Sequence, residues 1–205
     1  MTKQYGFVVD VSRCTGCRTC AVACKDAHNL PVGLNLRRVL EEASGSWRQD
    51  RMTGAWHQDV RAWYVSIACN HCENPACVKV CPTQAHYKRA EDGLVVIDRD
   101  KCIGCGMCAR ACPYGAPQLD RQRRKMTKCD ACIERTSAGG MPVCVESCPE
   151  RAIEFGDIEE LRCRHGSVAG IAPLADPAKT KPSLVVKPSK NAKPVGFTGG
   201  KVHAF

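Results

Sequence analysis

The sequence predicts an α+β fold of two small, related units built from short strands and short helices, followed by an extended C-terminal segment. Three observations predict it. Sixteen of the seventeen cysteines fall into four quartets. A short β-branched run precedes the first and the third quartet in near-repeated sequence. Aromatic residues make up only 5% of the 205-residue chain. That is too few for one large apolar core, and small units with little core depend on cross-links or metals.

The repeat sets the order of elements. "FVVDVSRCTGC" parallels "VVIDRDKCIGC", each with an apolar run and an aspartate, Asp10 or Asp98, four residues before the first cysteine. The runs read as short strands. Gly16, Gly104 and Gly106 suit chain that turns sharply around a bulky centre. Ala21 to Ala23 and Ala109 to Ala111, after the third cysteine, can begin short helices. Pro82, Pro113 and Pro149 follow a fourth cysteine and stop any helix there, whereas Lys25 takes that place in the first quartet. Residues 30–62 form a spacer whose Trp47 and Trp56, with nearby Trp63, read as a small local core, with contact to a partner as the alternative. "WYVSIAC" reads as a strand leading into the second quartet, "HYKRAEDGLVVID" as a hairpin turning at Glu91-Asp92-Gly93, and "AIEFGD" as the closing strand. From about residue 173 the chain is rich in Pro and Lys and reads as an extended tail, ordered only where it lies along another surface.

The cysteine spacing identifies the chemistry. The quartets are Cys14, Cys17, Cys20, Cys24; Cys69, Cys72, Cys77, Cys81; Cys102, Cys105, Cys108, Cys112; and Cys129, Cys132, Cys144, Cys148. A zinc site usually draws its four ligands from two separated pairs. The first and third quartets instead pack three cysteines at i, i+3 and i+6, with a fourth four residues later. In the bacterial ferredoxin run C-x2-C-x2-C-x3-C-P, the fourth cysteine serves the other cluster of a pair. The third quartet matches that run in full, including Pro113. The second has four residues between Cys72 and Cys77, and the fourth has eleven between Cys132 and Cys144.

Four quartets imply four 4Fe–4S clusters and two ferredoxin-like units, each wrapped around a pair. Quartets can pair in sequence order or nest, and the short hairpin between Cys81 and Cys102 favours nesting. The expected ligand sets are then Cys14, Cys17, Cys20 with Cys148; Cys24 with Cys129, Cys132, Cys144; Cys69, Cys72, Cys77 with Cys112; and Cys81 with Cys102, Cys105, Cys108. The outer unit would comprise residues 1–60 and 121–172, the inserted unit 61–120, and the tail 173–205.

Composition excludes other classes. The formal charge of +9 counts every cysteine as a neutral thiol. Cubane clusters with their thiolates carry about −2 each and would cancel most of that excess, so it does not by itself point to nucleic acid. Arg121 to Lys125, "RQRRK", is a candidate partner patch. No stretch approaches the ~18 consecutive apolar residues that would span a membrane, and the N-terminus does not read as a secretory signal. No P-loop or dinucleotide fingerprint is present, and no catalytic constellation stands out. Cys163 is left as an unligated thiol. His71, inside "CNHC", is placed to tune or replace a ligand, but reads first as an outer-shell hydrogen bonder or an exposed side chain. Lys79, Arg110 and Lys128 lie beside the quartets and can either raise reduction potentials or sit solvated. The rival reading is a colourless zinc-bound scaffold with basic surfaces.

The quartet order, the gap in the fourth, and "CNHCENPACVKVCP", "CPYGAPQ", "MTKCD" and "CVESCP" resemble the iron–sulfur subunits of the molybdopterin oxidoreductase superfamily. The likeness is nearest to the iron–sulfur subunits of anaerobic dimethyl sulfoxide reductases. That resemblance implies a non-catalytic electron-transfer subunit in a complex with two partners. One is a molybdopterin catalytic subunit that reduces sulfoxides or N-oxides. The other is a membrane anchor subunit that oxidises menaquinol. It also implies a peripheral position on the periplasmic face of the bacterial inner membrane, reached without a signal peptide of its own. The same role in a polysulfide, tetrathionate or thiosulfate reductase is the alternative.

Overall fold

The computed structural model describes residues 3–204. Strand β1 (Tyr5–Asp10) is buried along all but its first residue. Asp10 then closes a turn: its Oδ1 accepts from the Ser12 amide at 3.0 Å and its carbonyl from the Cys14 amide at 3.1 Å. Asp98 repeats this, with Oδ1 accepting from Asp100 at 3.0 Å and its carbonyl from Cys102 at 3.2 Å. The aspartate before each of these quartets is thus an Asx-turn residue that sets down the first cysteine.

Helix α1 (Thr19–Ala27) carries Cys20 and Cys24 one turn apart, both buried. It starts one residue before the third cysteine rather than after it, because Arg18 takes the left-handed turn at φ 64° and releases the chain into the helix. With Lys25 in place of a proline, the helix runs on for nine residues. Next come β2 (Arg38–Ser44), β3 (Trp47–Gln49), β4 (Trp56–Gln58) and β5 (Arg61–Ile67). β2 and β5 pair antiparallel from Arg38↔Ile67 to Ser44↔Arg61, and β3 and β4 extend beyond them as an exposed ribbon.

The tryptophans divide here. Trp63 is buried and its indole N–H donates to the Ala172 carbonyl at 2.7 Å. Trp47 and Trp56 lie diagonally on one face of the ribbon and are 64% and 61% exposed. The local core expected of all three therefore holds only for Trp63, because no second layer covers the ribbon.

The middle of the chain is made of cysteine-bearing turns and hairpins. α2 (Ala76–Lys79) precedes the hairpin of β6 (His86–Lys88) and β7 (Val95–Ile97), which joins Cys81 to Cys102. α3 (Met107–Ala111) ends at Cys112, before Pro113, and leads into the hairpin of β8 (Gln118–Asp120) and β9 (Lys125–Thr127). Arg121 to Arg124 form its exposed tip. α4 (Ile133–Ser137) occupies the long gap of the fourth quartet, and α5 (Val143–Glu146) carries Cys144, where that gap ends. β10 (Ile153–Asp157) follows, and Asp157 caps α6 (Ile158–His165) by accepting from the Glu159 and Glu160 amides. β11 (Leu184–Lys187) and β12 (Lys201–Ala204) complete the chain.

β1 is the centre of a three-stranded sheet, antiparallel to β10 and parallel to β11. A second sheet runs β12-β2-β5. The segment from residue 173 was expected as a tail awaiting a foreign surface; the surface it lies along is this chain's own. Leu184, Val185 and Val186 are buried against β1. Lys187 pairs with Asp10 at 3.0 Å. The apolar run "LVV", with its two β-branched valines, outweighs its Pro- and Lys-rich surroundings because it fits a pleated, buried edge.

Candidate metal centres

The thiols gather into four groups. Cys14, Cys17, Cys20 and Cys148 line one small cavity, walled by Val9, Val39, Ala152 and Ile153. Cys69, Cys72, Cys77 and Cys112 line another, together with Lys128, Tyr114 and Thr180. Cys24 on α1 and Cys144 on α5 face each other where these helices pack, and both bear electrostatically on Cys129. Cys132 feels Cys144 as well and acts on Cys24. Cys102 and Cys105 act on Cys108, and Cys81 packs in the same cluster as Cys102 and Cys108.

Neighbouring groups share apolar packing. Cys20, Cys144 and Cys148 share one apolar cluster; Cys24, Cys129 and Cys69 share a second; Cys77, Cys102 and Cys108 share a third. Of the sixteen quartet thiols, only Cys17 and Cys105 are exposed, one in the first group and one in the group of Cys102 and Cys108.

Burial dominates the electrostatics. It pushes the Cys14 and Cys108 thiols up to about 11 and those of Cys24, Cys72 and Cys77 up to about 12. The wholly buried Cys129 is held well above the ordinary thiol range for the same reason. Cys17 goes the other way, lowered by hydrogen bonding to Thr19. At Cys81 burial pushes up, but amide donors from His86, Thr83 and Ala85 together win and lower it. Buried thiolates without a positive partner are costly, so these groups suit a cationic core that holds them deprotonated. Sulfurs also accept from backbone amides: Ala152 to Cys148 at 3.3 Å, Ala131 to Cys129 and Met126 to Cys102 at 3.4 Å. The groups of Cys14 and of Cys69 stand around a space instead of converging on a point; among the described residues no three His, Cys, Asp or Glu side chains are placed to hold one metal ion. Thiols spread around a space suit an iron–sulfur core better than a single zinc, whose sulfurs lie about 2.3 Å from one centre.

Several residues around the groups were not legible in the sequence. Ser66 Oγ lies 3.2 Å from Cys20 Sγ, Thr180 Oγ1 lies 3.3 Å from Cys72 Sγ, and His28 Nε2 lies 3.4 Å from Cys132 Sγ. Only His28 had a sequence signal, one helical turn beyond Cys24. His71 is not exposed: it is buried, and its Nδ1 accepts from the Val95 amide at 3.1 Å. Burial, and then the charge of Lys128, drive its pKa well below the ordinary histidine value. Of the three cations flagged beside the quartets, Lys79 and Arg110 are exposed. Lys128 is buried, donating to the carbonyls of Val95 and Cys129. Cys163, on α6, is exposed and apart from the groups. Among the described residues, no helix is long and apolar enough to cross a membrane.

Comparison with known proteins gives two family matches: a 4Fe–4S dicluster domain over residues 60–158 and a 4Fe–4S binding domain over residues 11–27. The sequence is 56% identical over 200 residues to the B component of the anaerobic dimethyl sulfoxide reductase of Escherichia coli (strain K12), covering 98% of this protein and 96% of that one. It is 35% identical to the B component of the tetrathionate reductase of Salmonella typhimurium, over 98% of this protein and 74% of that one. It is 38% identical to the thiosulfate reductase electron transfer subunit of Salmonella typhi, over 78% of this protein and 79% of that one.

Proposed function

The chain is a member of the family of anaerobic dimethyl sulfoxide reductase iron–sulfur subunits, and from that premise we propose that it is the non-catalytic electron-transfer subunit of a molybdopterin oxidoreductase complex. In this role it relays electrons from a quinol-oxidising membrane subunit to a molybdopterin catalytic subunit that reduces dimethyl sulfoxide and other sulfoxides or N-oxides. The observation that carries the reading is that thiols of neighbouring groups share apolar clusters, which we read as a single file of four groups with exposed sulfurs only at its two ends.

The protein binds iron–sulfur clusters, and we take their number as four. The proposed ligands are Cys14, Cys17, Cys20 and Cys148; Cys24, Cys129, Cys132 and Cys144; Cys69, Cys72, Cys77 and Cys112; and Cys81, Cys102, Cys105 and Cys108. A bound 4Fe–4S cluster supplies a one-electron carrier whose potential depends on charge, hydrogen bonding and exposure. The protein's share is to hold the thiolates, keep water from the inner groups and order the groups in line. Cys17 and Cys105 mark where electrons would enter and leave.

The first and fourth quartets would form an outer unit, a reading supported by the β1–β10 pairing. The second and third would form an inserted unit, with the β6–β7 hairpin joining Cys81 to Cys102. The complex would sit on the periplasmic face of the inner membrane. The lower identities to the tetrathionate and thiosulfate subunits favour sulfoxide over those substrates.

The test is Cys105→Ser in the assembled complex. It should lose or convert one cluster and stop quinol-linked sulfoxide reduction; full iron content with normal reduction would refute the ligand assignment. Assaying the purified complex against sulfoxides, N-oxides, tetrathionate and thiosulfate separates the two substrate readings.

A further inference from the structure

A buried cation is linked through one hydroxyl to the first thiol group and bears on the charge of the second, and neither the quartets nor the family matches assign it a role. Arg37 lies one residue before β2 and is 2% exposed. Among the described residues it enters no ion pair with a carboxylate, and its Nε has no hydrogen-bond partner. Its guanidinium carbon sits 4.9 Å from the ring centre of Phe7 on β1. Its Nη1 donates to Ser66 Oγ at 3.1 Å, and Ser66 Oγ lies 3.2 Å from Cys20 Sγ.

A guanidinium taken out of water without an opposing charge is strongly unfavourable. The groups whose charge bears on Arg37 are thiols: Cys144, Cys20, Cys129 and Cys24. One belongs to the first group and three to the second. Burial opposes the charged form, and these sulfurs favour it when they are thiolates, as they are when they hold a cluster. Arginine does not titrate in the working range of a protein, so this positive charge is permanent.

We propose that Arg37 is a positioning residue that raises the reduction potentials of the two clusters held by the first and second thiol groups, by fixing a positive charge that bears on both and by orienting the Ser66 hydroxyl onto Cys20. The inference rests on the ligand assignment made above. Two effects follow from the geometry. The first is Coulombic: reduction adds negative charge to each centre, and a nearby fixed cation favours the reduced form of both. The second is a hydrogen bond. Because Arg37 donates to Ser66 Oγ, that oxygen acts as acceptor on this side, and its own hydrogen is free to point at the Cys20 sulfur. A donor on a ligand sulfur also favours the reduced form, but only for the first group. Phe7 holds the guanidinium in place through its ring face.

The experiment is a potentiometric titration of the assembled complex, each cluster followed by its paramagnetic signal, with iron content measured in parallel. Arg37→Met should lower two of the four potentials. At fixed potential their reduced-to-oxidised ratios should fall about tenfold or more, ~59 mV each for one electron. Ser66→Ala should lower only one of those two, and by less. Arg37→Lys keeps the charge and should restore most of the shift.

Should Arg37→Met fail to incorporate clusters, the contrast between Ser66→Ala and Arg37→Lys still decides. A Ser66→Ala protein with full iron and no shifted potential overturns the proposal. So does a fully loaded Arg37→Met protein with all four potentials unchanged. Fewer than four cluster signals in the unmodified complex would overturn the ligand assignment and this inference with it, whereas four signals that ignore Arg37 and Ser66 overturn this inference alone.

Discussion

Replacing Gly104 by alanine should damage the protein far more than the same change at Gly106, two residues away in "CIGCGMC". Both glycines sit in the left-handed region, at φ 70° and 74°. A non-glycine residue there costs about 1–2 kcal/mol. That is the whole penalty at Gly106, where an added Cβ meets nothing within 4 Å. The repeat supports this: the position matching Gly106 in the first quartet is Arg18, an ordinary L residue at φ 64°. At Gly104 an added Cβ would stand 3.2 Å from the Arg124 carbonyl carbon and closer still to its oxygen. That carbonyl is backbone and cannot swing aside. Arg124 leads directly into β9, whose Met126 amide donates to Cys102 Sγ. Relieving the overlap means shifting that strand, and forcing extra volume into packed structure adds about 1–3 kcal/mol. The totals are about 1–2 kcal/mol for Gly106→Ala and about 2–5 kcal/mol for Gly104→Ala. At about 2–4 °C per kcal/mol for a protein of this size, Gly104→Ala should lower the apparent melting midpoint several degrees further than Gly106→Ala. The assay is cluster absorbance and circular dichroism on heating, with iron per protein measured beforehand. Equal midpoints and equal iron in the two variants would refute the reasoning.

Trp63→Ala should destabilise by about 3–5 kcal/mol, since the ring is buried and its N–H bonds the Ala172 carbonyl. Trp56→Ala should stay within about 0.5 kcal/mol, as chemical or thermal unfolding of the two variants would show. Lys128→Met should lower the potential of the cluster nearest Cys77, because it removes a buried cation lining that cavity; a redox titration that leaves every potential in place would count against it. Limited proteolysis of the isolated protein should spare the peptide through Lys187 even without partner subunits, because Leu184 to Val186 are buried in the β1 sheet. Rapid cleavage between residues 182 and 187 would contradict that.

What was legible in the sequence was local. Cys102, Cys105 and Cys108 lie within one turn of chain, so spacing alone announces them, and the Asx turns at Asp10 and Asp98 act over two to four residues. The β6–β7 hairpin was readable because Asp92-Gly93 marks its turn just before the β-branched run Val95–Ile97. What stayed hidden depends on long-range packing. Arg37 meets Ser66 across 29 residues, and Ser66 meets Cys20 across 46; no local pattern distinguishes that arginine from a surface one. The strand Leu184–Lys187 is four residues in a Pro- and Lys-rich stretch, and its place beside β1 follows from a parallel crossing that composition does not record. Trp47, Trp56 and Trp63 look alike in sequence because burial depends on whether a second layer covers the strand.

Quantitation of iron, acid-labile sulfide and zinc in anaerobically purified complex, after correcting for the iron of the other subunits, tests the four thiol groups most directly. Four 4Fe–4S clusters require about sixteen iron atoms for this protein, an equal amount of sulfide and almost no zinc. About half that iron, or stoichiometric zinc in a colourless protein, would contradict the assignment of a cluster to each group.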